Sequence, residues 1–181
     1  MKIKTLLAFA AFTFSITAVS ANDELHGCYS IKSGTVGSNA IPLDPMNSDS
    51  IEGSFEQIGQ YQIYLVKTNA KKKSKPVIKI NGPFKGQIIG QDISGTTFLN
   101  HILGSADQAG LIFTSNDVAT PLGFPDEKGQ IPISETMNPV KGTGKFVFLD
   151  PINSNIQVNG VINIITGKNQ FDGLAGTLCF K

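Results

Sequence analysis

Few side chains in this 181-residue chain have the chemistry for catalysis or ligation. The cysteines are Cys28 and Cys179, and the histidines are His26 and His101. A metal centre needs more ligands than these supply, so no metal is expected. No G-x-S-x-G elbow occurs, and "GPFKG" lacks the spacing and trailing hydroxyl of a phosphate loop, so no catalytic residue and no cofactor are expected. His101, in "FLNHILG", is the residue best placed to do chemistry. Strand alternation sets it on the face of Leu99 and Leu103, away from Phe98, Asn100 and Ile102. If that face lines an interior, His101 is a polar group in an apolar cavity, able to orient a ligand or move a proton. The alternative is a hydrogen-bonded structural histidine. Glu52, Glu56 and Tyr61, on neighbouring candidate strands, are the groups that could join it. Isomerase or cyclase chemistry asks for little more than a shaped apolar cavity and one carboxylate or water to steer charge.

The elements that must position these residues begin after residue 21. "MKIKT" is positive, Leu6 to Val19 is an uncharged apolar run of 14 residues, and "VSA" ends in small side chains. That is the layout of a secretory signal peptide cleaved after Ala21, and the run is shorter than the roughly 20 residues of a membrane span. The expectation is one exported domain over residues 22–181, secreted or periplasmic, with no stable membrane insertion. "LHGC" also has a faint look of a lipoprotein cleavage site, a minor alternative. Loss of Lys2 and Lys4 leaves 13 lysines against 14 acids, a net charge of −1. Without any arginine, phosphate and base-edge recognition lack their usual fork, so nucleic acid is not an expected partner. "KKKSK", residues 71–75, reads as a solvated hairpin loop between strand-like flanks.

An exported chain with an even pair of thiols is expected to oxidise them, here as Cys28–Cys179. Closing so long a loop contributes about 4–5 kcal/mol on the chain-entropy model.

Helical periodicity is absent outside the leader. Ten short β-rich runs are separated by Gly, Pro, Asn and Asp, and they predict an all-β domain. Tyr61, Ile63 and Leu65 share one face of "YQIYLVK"; Ile156, Val158, Ile162 and Ile164 share one face of "NIQVNGVINI". Glycines inside the runs, at 86, 90, 95, 144 and 160, favour a curled barrel over a flat sandwich. "LDPMNS" (43–48) and "LDPINS" (149–154) are read as parallel turn chemistry rather than a duplication. Residues 117–139, with prolines at 121, 125, 132 and 139, read as a long irregular loop with at most one edge strand.

The C-terminal "ITGKNQFDGLAGTLCF" resembles the closing motif of small exported bacterial proteins of unknown role. It is also similar to that of the eight-stranded allene oxide cyclase and dirigent barrels. Gly160, Thr166, Gly167, Phe171, Gly173 and Gly176 carry the resemblance, while "GKNQ" departs from the usual "GTGR". The resemblance implies a single antiparallel β-barrel of about eight strands with a central cavity. "TGKNQ" would then be the turn into the last strand, and "TLCF" the strand that closes the barrel. On this basis the chain is expected to be a non-catalytic module binding a small apolar ligand or a macromolecular partner. The alternatives are a cofactor-free isomerase or cyclase working in the cavity, and a host-directed factor or inhibitor presenting the 117–139 loop.

Overall fold

The computed structural model describes residues 24–41, 56–68 and 77–181. The alternating runs become ten strands: β1 Gly27–Ile41, β2 Glu56–Lys67, β3 Val77–Gln91, β4 Thr97–Gly104, β5 Leu111–Thr114, β6 Asp117–Pro121, β7 Gln130–Met137, β8 Pro139–Gly142, β9 Asn155–Asn163 and β10 Lys168–Phe180. The order β3-β2-β1-β10-β9-β7-β6-β4 returns to β3 through a β3–β4 ladder, so the sheet closes on itself. β5 and β6 together make one wall strand against β4, broken at Ser115 and Asn116. β7 and β8 make the next, broken at Asn138. The result is a closed antiparallel barrel of eight wall strands.

Alternation holds where the chain is apolar. Tyr61, Ile63 and Leu65 point inward from β2, and Ile156 and Val158 from β9. β1 escapes the hydrophobic pattern because its inward series is sparse: Tyr29, Ile31, Gly34, Val36 and Ser38, with a bulge between Ile31 and Ser33 that shifts its parity. "VIKI" (77–80) and "KGQII" are one strand, β3, running through Gly82 and Pro83. "GTGKFVFLD", which reads as a strand, instead makes a single 3-10 turn at Gly144–Phe146. Gly144 has φ of +56°, and a Cβ there would sit 1.8 Å from the Ala109 carbonyl, so the turn requires glycine. The turn drives the Phe146 ring fully inside, near Phe180 at 6.3 Å.

Residues 117–139 are not an irregular loop. They contain β6 and β7, and the free connection between them is short. Nor is "TGKNQ" all turn. The turn spans 164–167, with Asn163 Oδ1 accepting from the backbone N–H groups of Ile165 and Thr166, and β10 starts at Lys168. Gly160 faces Phe171 across the β9–β10 ladder, and the bulge between Phe171 and Gly173 bends β10.

β10 pairs with β9 on one side and β1 on the other, so the last strand joins the first described one. Cys28 lies directly opposite Cys179 in that ladder, and the two form a disulfide across 151 residues. Tyr29, Leu65, Phe146, Leu178 and Phe180 fill the end of the barrel near it. Replacing both cysteines by serine is expected to lower stability by up to about 5 kcal/mol, seen as a lower midpoint in thermal unfolding. A thiol assay on unfolded, unreduced protein should find no free thiol; two reactive thiols would refute the bridge.

Candidate functional site

The barrel's other end is not filled. A cavity of about 600 Å³ opens there. Its walls are mainly Ile88, Leu99, Ala119, Ile133, Ile162 and Phe171. The space exists because the inward positions here are small or short. Ala119 and Ala40 line it, and Gly86 faces inward from β3, where a Cβ would lie 2.7 Å from Gln57 and 2.8 Å from the His101 ring. Toward the rim, Gln57 Oε1 accepts hydrogen bonds from Ser38 Oγ at 2.7 Å and Asn169 Nδ2 at 3.1 Å, fastening β2 to β1 and β10.

Where the cavity meets the packed half, three ionisable side chains come together from consecutive wall strands. They are His101 on β4, Asp117 on β6 and Glu135 on β7. All are buried, and Glu135 also lines the cavity. The site's anchor is Asp117. Its Oδ2 accepts from His101 Nδ1 at 2.6 Å and from the Thr114 hydroxyl, and its Oδ1 from the Asn138 backbone N–H at 2.6 Å. Thr114 Oγ1 in turn accepts from the His101 backbone N–H at 2.9 Å. Phe84 stacks on the imidazole with ring centroids 4.9 Å apart.

This convergence depends on the two strand breaks. Thr114 and Asp117 both face inward although three positions apart, because Ser115 and Asn116 form a bulge and reverse the parity of the strand. Asn116 takes φ of +54°, and its carbonyl accepts from Asn138 Nδ2 at 2.8 Å, so the two breaks hold each other.

Glu135 is treated differently. Its Oε1 stands 3.5 Å from His101 Nδ1 but makes no hydrogen bond, since that nitrogen's hydrogen is directed at Asp117. Burial, foremost, and the nearby Asp117 carboxylate push Glu135 above the usual carboxylate range; the proximity of His101 opposes them. His101 Nε2 is also buried without a partner.

One atom from each of the three residues lies within 4.8 Å of the others, close enough to raise the question of a cation. Two ligands on one small divalent ion stay roughly 3 Å or more apart when each bond is about 2.0–2.1 Å. The 2.6 Å between His101 and Asp117 is instead a hydrogen-bond distance, and it suits a proton.

Of the residues singled out from the sequence, His101 is on the expected inward face with Leu99 and Leu103. Glu56 lines the cavity and pairs with Lys85 at 2.9 Å. Tyr61 is buried but does not line the cavity. Burial, and then the charge of Asp107 in the β4–β5 loop, push its phenol above the usual range. Glu52 lies outside the described residues, as do "KKKSK" and "LDPMNS". Of the acids that do join His101, Asp117 falls in the part of 117–139 read as a loop and Glu135 in the one edge strand expected there. One signal was legible: in "QIPISETM", Ile131, Ile133, Glu135 and Met137 alternate on one face. Among the described residues no helix is long and apolar enough to cross a membrane. No family model, curated protein or solved structure matches the chain.

Asp117→Ala leaves the imidazole, the Thr114 hydroxyl and the Asn138 N–H without their acceptor, and should cost about 3–5 kcal/mol in urea unfolding. Glu135 produces a pH dependence of definite sign. Its native state holds the proton above the ordinary value of 4.5, so above that pH the folded chain binds more protons than the unfolded one. Stability therefore falls as pH rises from there through the raised native pKa. Glu135→Gln should remove that falling limb in urea titrations across pH; an unchanged limb would show that Glu135 is already ionised in the native state.

Proposed function

We propose that this protein is an exported β-barrel that binds a small apolar molecule in the open end of its lumen. The observation that carries this reading is the cavity itself. Its volume is within the range of about 300–1,000 Å³ typical of small-molecule sites, and its wall is mainly aliphatic with a few convergent polar groups. A barrel filled with side chains throughout would offer no such site; here only the disulfide end is packed. Export is supported by the leader-like first 21 residues and by the disulfide, which is compatible with an oxidising compartment. The closing-motif resemblance to the allene oxide cyclase and dirigent barrels points toward the same kind of container.

A second reading is an isomerase or cyclase that works in this cavity without a cofactor. The specific observation in its favour is an acid at the cavity's inner end, backed by a histidine–aspartate pair. A partner-presenting loop over 117–139 has less support. Leu122 and Phe124 are exposed between β6 and β7, but most of the segment is built into the barrel wall.

Titration with the neutral dye N-phenyl-1-naphthylamine, read by its fluorescence, tests the binding reading. The protein should enhance and blue-shift the emission in a saturable way. Ala119→Trp, which places an indole in the cavity, should weaken binding at least 10-fold, about 1.4 kcal/mol, while the fold survives by circular dichroism. Failure of the unaltered protein to bind, or equal binding by the plugged variant, would sink the reading.

A further inference from the structure

The inner end of the cavity offers a hydrogen bond that the protein leaves unused. His101 Nδ1 has one hydrogen, and Asp117 accepts it at 2.6 Å. Asp117 also accepts from Thr114 and Asn138, whereas Glu135 Oε1 receives nothing. The titratable groups facing Glu135 are His101 from β4, Asp117 from β6 and, across the cavity, Glu56 from β2 with its Lys85 partner. β9 and β10 contribute uncharged residues to the cavity wall, Ile162, Asn163, Asn169 and Phe171. Two adjacent carboxyls in an apolar site do not both ionise, and the proton stays on the one with fewer donors. Asp117 has three donors and Glu135 has none, so Glu135 is the protonated member of the pair.

A protonated carboxyl is a hydrogen-bond donor. Buried without an acceptor, it is left unsatisfied at a cost, and an acceptor brought into the cavity recovers that cost. We propose that the cavity selects apolar molecules carrying an uncharged oxygen acceptor, a carbonyl or an ether, at the end that enters first, and that the Glu135 carboxyl holds this oxygen. An anionic head group would meet the like charge of Asp117 behind the neutral Glu135 carboxyl. A cationic amine would require Glu135 to ionise beside Asp117. The inference rests on the binding reading above and goes further by naming the ligand class.

A matched pair of probes separates the two. 2-Acetylnaphthalene and 2-ethylnaphthalene have nearly the same shape and differ by one carbonyl; 1-(2-naphthyl)ethylamine supplies a cation. Each would compete with the naphthylamine dye for the protein. The ketone should bind about 3- to 10-fold more tightly than the hydrocarbon, the range of one neutral hydrogen bond. Its advantage should fade as pH rises and Glu135 ionises. Glu135→Leu should abolish the advantage without weakening the hydrocarbon, and Glu135→Gln, which keeps a donor, should retain part of it. Equal binding of ketone and hydrocarbon by the unaltered protein, or tightest binding of the amine, overturns the proposal and leaves the binding reading standing. If none of the probes nor the dye binds, both fall. The pH series uses the unaltered chain, so the test holds even if Glu135→Leu does not fold.

Discussion

A curled sheet must either leave two rows of unpaired backbone groups at its edges or join them. Here the join is the ladder between β1 and β10, which runs from Gly27 opposite Phe180 to Asn39 opposite Lys168. It pairs the beginning of the described chain with its end, so it forms against the largest loop-closure entropy in the molecule. The Cys28–Cys179 bridge lies within its register and limits that entropy in the unfolded chain. Everything at the site follows from closure. With β10 fixed against both β1 and β9, the remaining strands complete the circle in an order that puts β4, β6 and β7 side by side. His101, Asp117 and Glu135 are 16 or more residues from one another in sequence and become neighbours only through it.

The fold class was legible because its signals are local. Alternation in "YQIYLVK" and the start of "NIQVNGVINI", glycines at bends, and the closing "GLAGTLCF" each report on their own strand. The strands that went unread fail for a physical reason. β1 buries glycine and serine at positions where a larger wall residue would signal its face, and its bulge breaks the period. β6 ends on Pro121 and reads as part of a loop, whereas "QIPISETM" does read as the one edge strand of residues 117–139, its Pro132 being a residue that sheets confine to edges and bulges. Pro132 faces outward from β7 and still offers its carbonyl to the Leu122 N–H at 2.8 Å.

The site was legible only in part, again for a stated cause. His101 could be placed because β4 keeps strict alternation. Asp117 could not, because its inward direction depends on the Ser115–Asn116 bulge, and one inserted residue reverses every face that follows. Tyr61 shows the complementary limit. Alternation correctly put it inside, but the face of a strand does not say whether an inward side chain lines the cavity or packs in the filled core.

Polar satisfaction divides the lumen as clearly as packing does. Among the described residues the buried side-chain atoms without a hydrogen-bond partner are Tyr61 Oη, His101 Nε2 and Glu135 Oε1. Two of these belong to one cluster, at the boundary between the filled and open halves. A sequence optimised for stability alone would place an aliphatic residue at 135, continuing the run of Ile131 and Ile133 on β7. Instead the chain keeps a carboxyl there, denies it the donors that Asp117 receives, and sets the small Ala119 directly opposite it across the β6–β7 ladder. Each choice lowers stability and none is needed to close the barrel. Together they have one effect in common: a carboxyl without a hydrogen-bond partner on Oε1 stands at the inner end of the open half of the lumen.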